Sequence, residues 1–278
     1  MAWYVFAISS IGRAVVAAVA VFGLAATAGC SGPPGAELVS SRVEGYTNLI
    51  WLGDWVYYRA SYEDSDSGTP FKRVPAAGGS AQEVPVDGLG DCMNKYLGSA
   101  EPDRVVAISD HELGLEYDCY TRDSSRPVYV RWDAARERST LVDRPFSRTV
   151  STTAAVFSAE AADGSTVYLT DHCGTDAAEP AATRAVCRQD AAGRVSAIAR
   201  GVEAPAGLAV HGDRIVLTGT VHGHAGLWTV GPGRFDPVVQ GDYGSVAFSP
   251  DGKRLVVEFE DHGFWSTTKS LCVIAAPH

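Results

Sequence analysis

The chain has 278 residues, of which 46% are hydrophobic and 20% are charged, a balance typical of a globular protein that excludes a disordered chain. Its 33 acidic and 23 basic residues give a net charge of −10. This charge excludes a nucleic-acid partner, because binding phosphates requires a basic surface.

Residues 1–29 have the layout of a secretory signal. Arg13 is their only charged residue, and an apolar run extends from Ala14 to about Ala28. Such a signal has a positive start, an apolar middle and a cleavage site of small residues. The run is shorter than the roughly 20 residues that a membrane span needs. The pattern therefore predicts that the protein is exported.

A cysteine, Cys30, follows Ala28-Gly29 directly, and this arrangement resembles a bacterial lipoprotein signal. The resemblance implies that residues 1–29 are removed and that Cys30 is lipidated, with palmitate as an acyl group. The protein would then be anchored at the outer face of the cell membrane. Thr27 departs from the family pattern, which usually has an aliphatic residue there. A secreted protein cut near Ala26 or Ala28, or an uncleaved anchor, stays an alternative.

A hairpin pattern recurs along the rest of the chain. Its clearest copy is Val246–Val257, in which two strand-forming runs flank a Pro-Asp-Gly turn. Five copies are recognisable, with second strands beginning near residues 55, 115, 167, 215 and 255. Each of the first four copies is followed by two further strand-forming runs. Four strands per unit of about 40 to 50 residues is the period of a β-propeller blade.

The fifth copy has only three predicted strands, ending with Leu271–Ala275. The segment Glu37–Arg42 reads like the fourth strands of the other copies and fits the missing place. The sequence thus predicts an all-β protein: residues 30–36 form a tether, and residues 37–278 form a β-propeller of about five four-stranded blades, closed by an N-terminal strand. Six blades, or a β-sandwich, stay alternatives.

The segment Phe248–Leu255, with the sequence FSPDGKRL, resembles the signature hairpin of the TolB-like, WD-type β-propeller family. That family is common among exported bacterial proteins. The other four copies match the strand and turn layout of this hairpin but not its residues.

The predicted connections differ in length at the two ends of the blades. Those at one end are short, whereas those at the other end include Ser61–Pro70, Gly174–Thr183, Thr220–Gly226 and Asp261–Lys269. Long loops on a rigid scaffold commonly bind ligands. We therefore predict a binding face at this end, with the following candidate residues: Glu63, Asp64, Asp66, His222, His224, His262, Phe264 and Trp265.

These residues do not form a convincing metal site. The acidic loop of Glu63, Asp64 and Asp66 lacks calcium-ligand spacing, because Gly68 interrupts it. Three histidines on neighbouring loops could ligate a divalent ion, but loop histidines are more often ordinary surface residues. We predict no metal and no other cofactor.

Catalytic motifs are also missing from the sequence, which contains no HExxH, GxSxG, GxGxxG or P-loop pattern. Five aspartates recur in the predicted short turns, where aspartate has a local turn role: Asp54, Asp110, Asp163, Asp213 and Asp251. We therefore predict no catalytic residue.

With Cys30 assigned to lipid, five cysteines remain, and export permits disulfides. Adjacent predicted strands place Cys173 near Cys187. The second predicted pair is Cys92, in the long loop between two blades, and Cys119, near the same end of the second strand of the next blade. The fifth, Cys272, is expected to be a buried apolar residue.

The leading hypothesis is a lipid-anchored, extracytoplasmic and non-catalytic propeller that binds a protein of the cell envelope. A hydrolase of envelope carbohydrate is the alternative, and it would need two carboxylates about 5 to 9.5 Å apart. A structural lipoprotein without a small ligand is the third. The sequence leaves open whether a glycan or small molecule binds.

Overall fold

The computed structural model describes residue 30 and residues 35–42, 45–61, 71–89, 102–120, 125–146, 157–161, 163–174, 183–262 and 267–278. Within these ranges the chain forms nineteen β-strands and no helix. The all-β prediction is confirmed.

Blades 1 and 2 are separate four-stranded antiparallel sheets, each with its strands in chain order. Blade 1 contains β2 (Gly45–Leu52), β3 (Trp55–Ser61), β4 (Phe71–Pro75) and β5 (Gln82–Glu83). Blade 2 contains β6 (Arg104–Ser109), β7 (Glu112–Tyr120), β8 (Ser125–Asp133) and β9 (Arg138–Val142).

Blades 3 and 4 share one long strand, so that together they form a seven-stranded sheet. Its strands are β10 (Ser158–Glu160), β11 (Thr166–Thr170), β12 (Arg184–Gln189), β13 (Val195–His211), β14 (Arg214–Val221), β15 (His224–Gly231) and β16 (Arg234–Gln240). Up to Val202, β13 pairs with β12 and is the outer strand of blade 3. From Val202 onward it pairs with β14 and is the inner strand of blade 4.

Blade 5 joins the two ends of the described chain. It contains β17 (Tyr243–Phe248), β18 (Arg254–His262) and β19 (Thr267–Ala275), and its fourth strand is β1 (Glu37–Arg42). β1 pairs antiparallel with β19, from Glu37 opposite Val273 to Arg42 opposite Lys269. The predicted closure by an N-terminal strand is thus present, and the described strands form five blades.

The core lies between neighbouring blades, because successive side chains of a strand point to opposite faces of its sheet. In β3, Val56 and Tyr58 pack against blade 5, whereas Tyr57 packs against blade 2. Both faces of the central strands are therefore apolar, as in β11, where every residue is buried. The outer strand β16 faces solvent in part and accommodates Pro237, which cannot donate a ladder hydrogen bond.

The short turns bear out the local role of two of the predicted aspartates. Asp163 Oδ1 accepts hydrogen bonds from Ser165 Oγ at 2.6 Å and Ser165 N at 2.9 Å. Asp251 Oδ1 accepts from Ser249 Oγ at 2.6 Å and Lys253 N at 3.0 Å. These bonds, chiefly those from the serine hydroxyls, hold the pKa of both carboxyls below the ordinary value.

Two of the predicted long loops are wrong. β14 and β15 are joined by the two-residue turn His222-Gly223, so most of Thr220–Gly226 is strand. Both turn residues have positive φ, 52° and 77°, as tight hairpins require. In blade 5, β18 extends to His262 and β19 begins at Thr267. The pattern missed these extensions because paired strand ends need not be apolar when they project beyond the core.

Candidate functional site

A groove of about 290 Å³ lies between blades 4 and 5, at the end of the blades opposite the Pro-Asp-Gly turn. β18 ends there and β17 begins there, beside the bulged middle of β13. The groove is lined by small residues, a tyrosine, two acidic residues and a histidine: Ala204, Ala206, Gly219, Thr220, Ala225, Gly241, Asp242, Tyr243, Gly244, Glu260 and His262.

Glycines allow the strands around the groove to approach one another closely. Gly219 has φ +132°, and a Cβ there would overlap the carbonyl oxygen of Ala204. A Cβ at Gly244 would overlap the carboxylate of Glu258. The groove therefore requires glycine at these two positions, because a larger residue would collide with the groove walls.

Two buried polar side chains hold the start of β17 in place. The β17–β18 pairing is irregular between Tyr243 and Val246, so the backbone there needs other partners. Thr218 Oγ1 donates to the carbonyl oxygen of Gly244, and Glu258 Oε2 accepts from Ser245 N at 3.2 Å. Thr218 belongs to blade 4, so its hydrogen bond also links the two blades that form the groove.

Acidic side chains and one histidine meet at the groove. His262 Nε2 lies 3.3 Å from Asp242 Oδ2 and 3.9 Å from Glu260 Oε2. Lys269 Nζ lies 3.1 Å from Glu260 Oε1 and 3.8 Å from Glu258 Oε1. Two carboxylates thus flank Lys269, and a third, that of Asp242, lies beside His262.

The groove contains one of the residues predicted for the binding face, His262. His222 lies in the β14–β15 turn, where its ring packs edge-on against Phe235 at 6.4 Å, and His224 begins β15. Of the three predicted histidines, His262 lines the groove, whereas His222 and His224 do not. The remaining predicted residues lie outside the described ranges: Glu63, Asp64, Asp66, Phe264 and Trp265.

The sequence prediction missed Asp242, Tyr243 and Glu260. One signal was available, since Glu258, Glu260 and His262 alternate along β18 and thus share one face of the sheet. A second was the sequence Gly241-Asp-Tyr-Gly244, in which two glycines flank polar residues just before an inner strand.

The disulfides agree in part with the prediction. Cys173 and Cys187 are bonded, with their Cα atoms 5.6 Å apart. Cys119 is also disulfide-bonded, and its predicted partner, Cys92, lies outside the described residues. Cys272 is not left over as predicted, because it is bonded to Cys30, with Cα atoms 6.0 Å apart. The topology brings them together because β1 pairs with β19.

Among the described residues, no group of three or more histidine, cysteine, aspartate or glutamate side chains is arranged to hold a metal ion. The same ranges hold no apolar helix of the length that crossing a membrane requires.

No protein-family model matches the sequence, and the search of curated proteins returns no match. The TolB-like resemblance therefore stays a prediction. Solved structures with a similar fold include the β-propeller domain of Cps50 (Swd1) from Myceliophteria thermophila, with 8% identity and a TM-score of 0.31 over 87% of this chain and 70% of that one.

Two further similar structures are glycan-related. One is from the GH130 family of mannoside phosphorylases, which contains glycoside hydrolases that target β-1,2-mannosidic linkages in Candida mannan; it has 11% identity and a TM-score of 0.42 over 89% of this chain and 95% of that one. The other is Trypanosoma rangeli sialidase, with 12% identity and a TM-score of 0.42 over 86% of this chain and 55% of that one. These likenesses concern the fold alone, and the assignment of this chain as a β-propeller rests on its own strand pairing.

Proposed function

We propose that the protein is an exported β-propeller that acts as a non-catalytic binding scaffold at the cell envelope, and that its binding site is the groove between blades 4 and 5. The observation that carries this proposal is the groove itself, which is walled by glycines and alanines and contains Asp242, Glu260 and His262. Concave sites with a few converging polar groups are where ligands usually bind.

Export is supported by two independent features. One is the signal-like pattern of residues 1–29. The other is the pair of disulfides, Cys173–Cys187 and Cys30–Cys272, because structural disulfides persist in oxidising compartments and are rare in the cytosol. Membrane attachment by a lipid on Cys30 stays a prediction, and it competes with the disulfide for the same sulfur.

The chemistry of the groove favours a partner that donates hydrogen bonds or carries positive charge. When they are ionised, the carboxylates of Asp242 and Glu260 can accept hydrogen bonds but cannot donate them. Lys269 and His262 compensate the negative charge of these carboxylates only in part. An arginine or lysine side chain of an envelope protein satisfies these acceptors best, since charge-assisted hydrogen bonds to carboxylates are the strong ones.

Site-specific photo-crosslinking in cells tests this proposal. A photo-reactive residue at Ala225, in the groove, is expected to yield a discrete adduct with an envelope protein. The same residue at Asp213, which is fully exposed at the opposite end of the blade, is the matched control. Asp242→Asn with Glu260→Gln should lower the adduct yield roughly tenfold or more, because hydrogen bonds to charged groups contribute about 1.5–3 kcal/mol. Equal adducts from both positions would contradict the groove as the site.

The second candidate function is hydrolysis of envelope carbohydrate, and one specific observation favours it. Oxygens of Asp242 and Glu260 both lie within 3.9 Å of the same His262 nitrogen. The two carboxylate oxygens therefore lie no farther apart than about twice that distance. This limit is compatible with the separation of about 5 to 9.5 Å between the paired carboxylates of glycosidases.

Turnover assays separate the two functions. If the protein is a hydrolase, the purified protein releases reducing ends from envelope polysaccharide, and Glu260→Gln lowers kcat by about 10²- to 10⁴-fold, as expected for loss of a general acid or base. Asp213→Asn serves as the control that leaves kcat unchanged. We expect no turnover, and release of reducing ends that depends on Glu260 would overturn the non-catalytic assignment.

A further inference from the structure

Cys272 lies in the buried part of blade 5. It is fully buried within β19, between Leu38 of β1 and Val257 of β18. Its partner, Cys30, lies before the first residue of β1 and is only partly buried, at the edge of the core cluster that contains Cys272. The disulfide therefore links the residue just before β1, the closing strand, to β19, the strand with which β1 pairs.

The two modifications of Cys30 depend on residues at very different distances from it along the chain. The lipoprotein-like signal is local, because it consists of residues directly before Cys30. The disulfide is non-local, because its partner is 242 residues further along the chain. Cys272 comes near Cys30 only when β19 is formed and β1 has paired with it. Lipidation needs no folded domain, whereas the disulfide needs the complete ring.

We propose that Cys30 is a branch point between two covalent forms of the exported protein: one anchored by a lipid on its sulfur, the other closed by the Cys30–Cys272 disulfide and released from the membrane. This rests on the export proposed above. A sulfur bonded to Cys272 has no free valence for a thioether, so one molecule cannot be both.

Lipidation of Cys30 uses a phospholipid, and formation of the disulfide uses an oxidised oxidoreductase. In lipidation, the Cys30 thiolate displaces the phosphate head group of a phospholipid, a C–S bond forms, a C–O bond breaks, and the thiol proton passes to solvent. In the other branch, the two thiols exchange with the disulfide of an extracytoplasmic oxidoreductase. One disulfide forms in this protein, and the oxidoreductase gains two electrons and two protons as a dithiol.

The two forms also differ at Cys272 and at the N-terminus. The anchored form leaves Cys272 as a free thiol without exposed surface, and its chain starts at Cys30. The released form begins a few residues earlier, after cleavage near Ala26 or Ala28, and contains no free thiol at Cys30 or Cys272.

Peptide mass spectrometry of the full chain, expressed in an exporting bacterium and separated into membrane and released fractions, tests the proposal. Without reductant, the released fraction should yield the Cys30–Cys272 linked peptide. The membrane fraction should yield lipidated Cys30, and its Cys272 should react with a maleimide after unfolding alone. In the released fraction, Cys272 should react only after unfolding and reduction. These measurements use the wild-type chain and need no variant to fold.

Variants test the competition directly. Cys272→Ala should cause loss of the disulfide-closed released form and a rise in the lipidated share. Cys173→Ala with Cys187→Ala removes a disulfide that does not involve Cys30, and should leave the ratio unchanged. Finding a single fate of Cys30 in both fractions would overturn the branch point, as would a lipidated share that does not respond to Cys272→Ala. Chains that retain residues 1–29 in the cytoplasm would instead contradict export.

Discussion

Replacement of Gly219 by alanine is expected to lower the free energy of unfolding by about 3 kcal/mol or more, from two effects that add. Residues other than glycine rarely adopt its φ of +132°, and such strain costs roughly 1–3 kcal/mol. The new Cβ would also overlap the carbonyl oxygen of Ala204, and overpacking costs a further 1–3 kcal/mol, roughly. Urea unfolding of the purified protein measures the change.

Gly212→Ala is the matched control for this substitution. Gly212 also has a positive φ, +60°, but a Cβ there would have no heavy atom within 4 Å. Its expected cost is about 1 kcal/mol, the price of the left-handed backbone alone. If the two variants were equally stable, β13 and β14 would not approach each other at Gly219 as closely as the structure shows. Because Gly219 lines the groove, its substitution should also reduce the photo-crosslink at Ala225.

Removal of the Cys30–Cys272 bond is expected to destabilise the released form by about 5–6 kcal/mol in the chain-entropy model, in which the loss grows with the length of the closed loop. This disulfide closes a loop over a sequence separation of 242 residues, whereas Cys173–Cys187 spans 14. The shorter loop should contribute about 3 kcal/mol. Thermal and urea unfolding of Cys30→Ala provide the measurement.

Cys272→Ala should reproduce this loss, with a small additional cost because Cys272 is fully buried. Under reducing conditions the difference between wild type and Cys30→Ala should disappear, because both then lack the bond. A difference that persisted in reductant would mean that the side chain of Cys30 stabilises the fold by packing, and not by closing the ring.

The repeat pattern predicted most of the architecture because blades are local units. Each unit must alternate turn residues with strand-forming runs, as in Phe248–Leu255, whatever its neighbours are. Closure by Glu37–Arg42 was also predictable, since an incomplete last unit leaves one place in a sheet. The sharing of β13 by two blades was not, because continuity of a strand across two sheets depends on how those blades tilt.

The candidate site was predicted less well. Sequence reasoning placed function on long loops and named His262, but it passed over Asp242 and Glu260. These residues are unremarkable along the chain, where 18 positions separate them. They meet because β17 and β18 are antiparallel neighbours, so that the residue before one strand comes beside the last residues of the other.

By itself, the sequence predicted the all-β class, about five repeats with six left open, the closing strand and the Cys173–Cys187 pair. Each of these follows from periodicity or from strands adjacent in the chain. Only the tertiary structure decided that Cys272 has Cys30 as its partner and that the groove lies between blades 4 and 5. The disulfide joins segments that meet only when β1 pairs with β19, whereas the groove depends on how two consecutive blades pack against each other.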